Sequence, residues 1–298
     1  MGGKNSKKEH RIHHSHKHAM HLTPFLDVEV YVKADDRCSF SGITCLKNGR
    51  IVVADYLGHY VKYYDWKTLK LLDYIETSSP PYEVCSSALN DNEVFVTFPF
   101  EQRIQHLSVT DNKVELIKEI PTEGMCYGIG SYVNGLAVSL RLDKHVWQIE
   151  ILDYLGSVQN VFKDDAEGKE LFGFIDYIAV DKKGERLYVS DGIREAVVCY
   201  NLKEATMTSI KEIFTYTCVH LRIPKGITID NSGNIFIIGC ESSNVHKVSR
   251  AGQRYGVVLG HREQLQNPMG IVYDVNEKKV FVTEGSRKVM IFTDNASS

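Results

Sequence analysis

Two carboxylates and two tyrosines stand at matching places, where similar apolar segments of the chain begin. These residues are Glu83, Tyr127, Asp176 and Tyr177. A close pair of carboxylates can act as general acid and base, and carboxylate oxygens also bind cations such as calcium. The alternative is that Glu83 and Asp176 accept hydrogen bonds from loop amides, and we favour this structural role. We therefore predict no catalytic residue, no metal site and no cofactor.

Basic and aromatic side chains recur in the loops that follow each second apolar run and in the segments between repeats. The predicted binding residues are Tyr56, Phe100, Arg103, Arg141, Lys144, His145, Arg194, Arg222, Lys225, Arg287 and Lys288. Clustered basic residues can contact phosphates, and exposed aromatic residues can contact proteins or bases. Further aromatic candidates are Phe98, Phe172 and Phe174, and the alternative for several of the aromatic candidates is a place in the blade cores. Acidic residues share these loops, including Asp55, Glu101, Asp191 and Glu241, so a mixed solvated surface is favoured over RNA binding.

The cysteines argue against a zinc domain. The chain has 7 of them, an odd number, and no Cys-x-x-Cys pair. Buried thiols in a reducing cytosol are predicted. A RING or a zinc finger needs paired cysteine or histidine ligands at short spacing. Because residues 25–298 contain no such pairs, a self-contained zinc-dependent ubiquitin ligase is excluded.

Residues 1–24 are predicted to form a disordered, basic and histidine-rich tail. Residues 1–6, Met-Gly-Gly-Lys-Asn-Ser, match the myristoylation pattern, which makes Gly2 the predicted lipidation site, with an accidental match as the equal alternative. A single acyl chain binds membranes weakly, so Lys7 and Lys8 would supply the second attraction. The six histidines between His10 and His21 can capture Zn²⁺ or Ni²⁺ loosely, although a linker without a dedicated ligand is favoured.

Composition predicts a soluble globular protein. Hydrophobic residues make up 43% of the 298 residues and charged residues 24%, with a formal net charge of −3. No apolar run approaches the roughly 18 residues that a membrane-spanning helix needs. The N-terminus is too polar for a secretory signal, so a cytoplasmic location is expected, with peripheral membrane contact through an acylated tail as a possible addition.

The strongest signal is an internal repeat. Six segments begin alike, at intervals of 41 to 49 residues between their middle positions, which are Gly42, Glu83, Gly128, Tyr177, Gly226 and Gly270. A second apolar run follows each start after a turn such as Lys47-Asn48-Gly49. A half-polar third run comes next, and a more polar fourth run follows in the first five repeats. Each repeat therefore reads as four short strands.

The gradient of polarity across a repeat predicts how the sheets are arranged. The second strand is apolar on both faces and must be covered on both, whereas the fourth strand resembles an outer edge strand. Radial stacking of such sheets gives a β-propeller. We predict an all-β fold in which residues 25–298 form a six-bladed β-propeller with four-stranded antiparallel blades.

The last repeat ends after its third strand, and the chain has an unpaired strand near its start. Residues Val28–Ala34 form a strand-like apolar and polar pattern and lie outside all six repeats. We therefore predict that this segment pairs with Val289–Thr293 and closes the last blade.

These repeats resemble the NHL-repeat propellers, in which Pro-x-Gly-Ile-x-x-Asp precedes a Gly-x-Ile-Tyr-Val strand. The best match is Ile223–Asp230 with Gly233–Ile237, followed by Pro268–Asp274 with Val280–Glu284, whereas the second repeat, with Glu83 in place of glycine, fits worst. The resemblance covers nearly all of the chain after residue 24. The chain looks like the C-terminal propeller of tripartite-motif ubiquitin ligases, without their RING, B-box or coiled coil.

The resemblance implies a non-catalytic scaffold that presents a loop face to a protein partner, with a link to ubiquitin-ligase pathways through a separate subunit. RNA binding is the second expectation. The third is a metal-dependent lactonase or other hydrolase, because six-bladed propellers also resemble such enzymes. A monomer is expected. Fold alone does not choose among these functions.

Overall fold

The described residues form six four-stranded antiparallel sheets arranged as blades around a central axis. The structure is a computed structural model that describes residues 22–29, 37–47, 49–68, 70–110, 112–165 and 167–294. Each blade takes its strands in chain order from the inside outward, except that the sixth blade receives its outer strand from the beginning of the chain. The predicted six-bladed β-propeller is thereby confirmed.

The strands are as follows. The closing strand is β1 (Leu22–Glu29). Blade 1 contains β2 (Phe40–Leu46), β3 (Arg50–Asp55), β4 (Tyr60–Asp65) and β5 (Lys70–Glu76). Blade 2 contains β6 (Val84–Ser86), β7 (Glu93–Phe98), β8 (Arg103–Thr110) and β9 (Lys113–Pro121). Blade 3 contains β10 (Met125–Tyr132), β11 (Gly135–Arg141), β12 (Trp147–Leu152) and β13 (Val158–Phe162).

The second half of the ring repeats this order. Blade 4 contains β14 (Tyr177–Val180), β15 (Arg186–Asp191), β16 (Ala196–Asn201) and β17 (Lys211–Thr217). Blade 5 contains β18 (Pro224–Ile229), β19 (Ile235–Gly239), β20 (Asn244–Val248) and β21 (Arg254–Leu259). Blade 6 contains β22 (Pro268–Asp274), β23 (Lys279–Glu284) and β24 (Lys288–Asp294), with β1 outermost. Two short 3₁₀ turns, Pro99–Glu101 and His261–Glu263, are the only helical segments of the described chain, and neither could cross a membrane.

Burial follows the predicted gradient within each blade. Every residue from Ile51 to Asp55 in β3 is buried, because neighbouring blades cover both faces of a second strand. The outer strand β9 is mostly exposed. The hydrophobic core is divided into six clusters of buried side chains, and the seam between blades 6 and 1 packs Trp66 against Phe281 at 5.3 Å between ring centroids.

The ring is closed by pairing the two ends of the described chain, but the closing strand begins earlier than the sequence predicts. Strand β1 pairs with β24 from Leu22↔Asp294 to Glu29↔Lys288. Only Val28 and Glu29 of the predicted strand take part, and residues 30–34 lie outside the described residues. Pro24 obscured this strand in the sequence, although an edge strand tolerates proline, and the register shifts between Pro24 and Leu26.

The predicted boundary between tail and propeller, after residue 24, also lies too far along the chain. β1 starts at Leu22, within the segment assigned to the tail. Residues 1–21, which include Gly2 and the histidine-rich tract, lie outside the described residues.

Removal of β1 is expected to destabilise the whole ring. A chain that starts at residue 30 loses the ladder to β24 and exposes the edge of that strand, at about 1 kcal/mol per hydrogen bond. The melting temperature should fall by several degrees relative to the full chain. A chain that starts at residue 22 is the matched control and should melt as the full chain does. Equal melting temperatures for the two truncations would contradict closure by β1.

Candidate functional site

The loops between second and third strands lie on one face of the ring, together with the loops that connect successive blades. We call this surface the loop face. Carboxylates at the ends of second strands shape it: Asp55 Oδ1 accepts the N–H groups of Ser39 at 2.9 Å and Gly58 at 3.0 Å. Asp191 Oδ2 accepts the N–H of Gly173 at 2.8 Å. These two acidic residues therefore fix loop conformation, and each also pairs with a basic side chain: Asp55 Oδ2 lies 2.7 Å from the buried Lys62 ammonium, and Asp191 Oδ2 lies 3.4 Å from Arg194.

Several predicted basic residues are engaged with acidic ones on the loop face. Arg103 pairs with Glu101 and, at 2.8 Å, with Glu119. Arg222 Nε lies 3.1 Å from Glu241 and 3.5 Å from Glu195. Because these positive charges are balanced within the chain, they offer less to a phosphate backbone than their number suggests.

Two further basic residues contribute to the structure of this face. Arg194 donates to the carbonyl of Leu171 at 2.6 Å and lies 3.4 Å from Asp191. The guanidinium of Arg141 lies 5.5 Å from the centre of the Tyr127 ring, a cation–π contact.

The other predicted residues divide between exposed and half-buried positions. Lys144 and His145 are exposed in the loop between β11 and β12. Arg287 is exposed and Lys288 half-buried beside the loop between β23 and β24. The structure thus brings all the predicted binding residues to one face but does not gather their charges into one basic patch.

The aromatic candidates also divide. Phe100 is 56% exposed at the tip of the Pro99–Glu101 turn. Tyr56 is half-buried and meets Tyr82 edge-on, with 6.1 Å between ring centroids. Phe98 and Phe172 are buried in blade cores, which is the alternative that the sequence left open for several of these aromatic residues, so these two are not available to a partner.

An arc of exposed apolar side chains follows the loop face over blades 1 to 5. Its members are Leu57, Phe100, Leu142, Ile193, Val219 and Ile223. The first four occupy the loops between the second and third strands of blades 1 to 4, and the last two precede β18. Ile223 has a φ of 47°, a conformation that costs energy for a β-branched residue.

The axis is plugged just beneath the loop face. The Tyr177 hydroxyl donates to the carbonyl of Ser41 at 2.7 Å and so links blade 4 to blade 1 across the axis. The Tyr82 hydroxyl donates to Asp176 Oδ2 at 2.6 Å, and Lys225 pairs with the same oxygen. Blades 1, 2, 4 and 5 are thus connected through polar contacts at the centre.

Aromatic rings surround this plug. Tyr82 contacts Tyr127 at 5.0 Å, and Tyr127 contacts Trp147 at 5.3 Å. Phe174 meets Trp147 at 5.1 Å, and the Lys225 ammonium lies 5.2 Å from the Phe174 ring centre. Tyr82, Tyr127 and Phe174 are half-buried and form an aromatic floor between the axis and the apolar arc.

Glu83 and Asp176 do not form the arrangement expected from the sequence. The partners of Asp176 are a tyrosine and a lysine, so the prediction of loop amides is wrong for this residue. Glu83 accepts only a long hydrogen bond, 3.4 Å, from the adjacent N–H of Val84. Glu83 Oε2 and Asp176 Oδ1 are buried without a hydrogen-bond partner.

Burial raises the pKa of Glu83 well above its ordinary value, and the nearby charge of Asp176 raises it further. A carboxyl in this state holds its proton where an exposed glutamate has lost it. No group of three His, Cys, Asp or Glu side chains in the described part of the chain is close enough to hold a metal ion.

Sequence reasoning missed Tyr82, Trp147, Leu57 and Ile193. Tyr82 directly precedes Glu83 at a repeat start, so its place in the repeat was a usable signal. Leu57 and Ile193 were visible as apolar residues inside polar loops. No sequence pattern indicates the ring contact between Trp147 and Phe174, because that contact depends on how blades 3 and 4 pack against each other.

The comparisons with known proteins support the fold. No protein-family model matches the chain, and no curated protein matches it in sequence. Among solved structures it is similar to the β-propeller domain of Cps50 (Swd1) from Myceliophteria thermophila, with a TM-score of 0.60 and 12% sequence identity over 85% of this chain and 82% of that chain. At this identity the likeness shows a shared β-propeller fold.

Replacement of Glu83 by glutamine should stabilise the protein as the pH rises. The raised pKa means that the folded state holds a proton that the unfolded chain releases above about pH 4.3, so the wild type loses stability as the pH climbs toward the folded pKa. The melting temperature of Glu83→Gln should exceed that of the wild type at pH 8, by more than at pH 5. The exposed Glu204→Gln is the matched control, and a Glu83→Gln curve parallel to the wild type would contradict the burial of this carboxyl.

Proposed function

We propose that the chain is a non-catalytic scaffold whose loop face binds a protein partner. The observation that supports this most directly is the apolar arc. Ile193 is 71% exposed and Val219 86% exposed, so neither contributes to a blade core. Apolar side chains exposed on one face, among polar residues, can serve as the anchors of a protein interface.

The distribution of exposed apolar residues favours the loop face over the opposite one. Six lie on the loop face, whereas the opposite face carries four, Leu89, Val133, Leu155 and Met207, scattered over blades 2 to 4. The other exposed large hydrophobic residues lie on outer strands. The loop face also offers the aromatic floor, and tyrosine is enriched among the residues that dominate binding energy.

The balanced charges favour a protein partner over RNA. Arg103, Arg222 and Lys225 already face carboxylates within the chain, so binding to phosphates would break ion pairs. The resemblance of the repeats to NHL propellers supports a link to ubiquitin-ligase pathways, in which a separate subunit would supply the catalytic domain.

Charged substitutions in the apolar arc should abolish partner capture. The triple variant Phe100→Asp, Leu142→Asp, Ile193→Asp places three carboxylates in the interface, and apolar anchors of this kind contribute about 1–2 kcal/mol or more each. We expect affinity for the partner to fall by at least about 100-fold. The measurement is quantitative affinity capture followed by titration of the captured partner against wild type and variant.

The matched control is Leu89→Asp, Leu155→Asp, Met207→Asp on the opposite face, which should retain the partner. Equal retention by both triple variants would refute the assignment of the loop face. Capture that disappears on nuclease treatment and falls steeply with salt would instead assign the face to RNA.

We propose separately that the protein is cytoplasmic and contacts membranes peripherally. The membrane contact depends on acylation of Gly2. Because the lysines beside Gly2 supply the second attraction that a single acyl chain needs, membrane association should require both. Mass spectrometry of the protein from its natural cells should show an acyl group on Gly2, and Gly2→Ala should release the protein from membranes. An unmodified Gly2 in membrane-bound protein would refute this proposal.

A further inference from the structure

The axis contains a cavity of about 580 Å³ that lies beneath the plug. All six first strands line it. The branched aliphatic residues near its inner end are buried in the cores between blades, whereas Ile229 and Val272, further along their strands, are half-buried apolar residues of the lining. Its mouth is formed by turns between first and second strands, such as those at Lys183 and Asn231, and therefore opens on the face opposite the loop face. From Ile43 to Lys47 the wall is about 13 Å deep at the usual rise per strand residue.

Glu83 belongs to the lining of this cavity and lies at its inner end. Its side chain is only 9% exposed, and its Oε2 atom has no hydrogen-bond partner. A buried carboxylate oxygen without a partner is costly, so a donor supplied by a ligand would stabilise it. Asp176 Oδ1, the other partnerless oxygen of this region, also lacks a donor.

The charges around Glu83 define what kind of group fits. Asp176 is balanced by Lys225. The other titratable groups that interact electrostatically with Glu83 are Tyr177 and Cys85. Burial raises the pKa of both side chains, so both are neutral near neutral pH. An ionised Glu83 would therefore leave one uncompensated negative charge at the inner end. A single positive group that carries only donors would balance it.

We propose that the axial cavity binds a linear alkylamine whose primary ammonium group pairs with Glu83 while its alkyl stem lies along the first strands, against half-buried apolar side chains such as those of Ile229 and Val272. An ammonium group has three donors and no acceptor, which suits the ionised form of Glu83 and the partnerless Oδ1 of Asp176, since both offer only acceptors. A hydroxyl or carboxylate head group would supply fewer donors or a repelling charge.

Binding is coupled to loss of a proton. The Glu83 carboxyl releases its proton to solvent, and the ammonium enters as its counter-ion, so one positive charge replaces another and all atoms balance. Because burial raises the pKa of Glu83, the empty site holds its proton to a higher pH than an exposed glutamate would, so amine affinity should increase with pH until Glu83 ionises without a ligand.

The test is isothermal titration of the full-length protein with hexylamine, hexan-1-ol and hexanoate. We expect hexylamine to bind at least about ten-fold more tightly than either analogue. Titrations in two buffers of different ionisation enthalpy should show net proton release on hexylamine binding. This wild-type measurement needs no variant and stands whether or not substituted proteins fold.

Glu83→Gln keeps the shape of the side chain but cannot ionise, so hexylamine affinity should fall at least about ten-fold and proton release should vanish. Glu204→Gln, at an exposed position outside the cavity lining, is the matched control and should bind within about two-fold of wild type. The proposal is overturned by absence of hexylamine binding at millimolar concentration, by equal binding of hexan-1-ol, or by undiminished binding to Glu83→Gln.

Discussion

The close approach of six first strands at the axis is the constraint on which the rest of the molecule depends. A Cβ added to Gly42 would lie 2.9 Å from the backbone of Glu83, and one added to Gly226 would lie 2.8 Å from the carbonyl oxygen of Met269. Such contacts are too short for an ordinary side chain, so glycine is required there. Where the repeat departs from glycine, at Glu83 and Tyr177, the larger side chains are accommodated at the centre. Tyr177 crosses the axis to Ser41, and Glu83 becomes the polar group at the inner end of the cavity.

Much of the architecture was predictable because radial repetition leaves a periodic record in the sequence. The spacing of the repeat starts gave the number of blades, and the polarity of the fourth runs identified the outer strands. The closing strand was misplaced because the alternating residues from Val28 onward gave a stronger strand signal than Leu22–Glu29, which contains Pro24. Pairing between distant chain ends depends on the edge that β24 offers, and that edge is not encoded locally in the N-terminal residues.

The candidate site was predictable in position but not in character. Loop membership follows from strand order, and it placed the predicted residues on one face. Whether a charge in such a loop is available depends on contacts between blades, such as that of Arg222 in the loop before blade 5 with Glu195 in the loop of blade 4. Asp191 illustrates the same limit, because its role in holding Gly173 and Phe174 requires an approach of segments 18 and 17 residues apart. Apolar residues in polar loops, by contrast, can be recognised without knowledge of contacts between blades. Leu57 and Ile193 could therefore have been identified from the sequence.

The two ends of the axis meet at one ion pair. Asp176 contacts Tyr82 and Lys225 on the side of the loop face, and its charge also raises the pKa of Glu83 on the side of the cavity. Lys225 in turn lies over Phe174 in the aromatic floor. A change in the charge of Glu83 therefore acts on Asp176 through a medium of low polarity, where electrostatic effects are screened less than at the surface. The plug thus separates the two surfaces sterically but leaves them electrostatically connected, because the same carboxylate serves both.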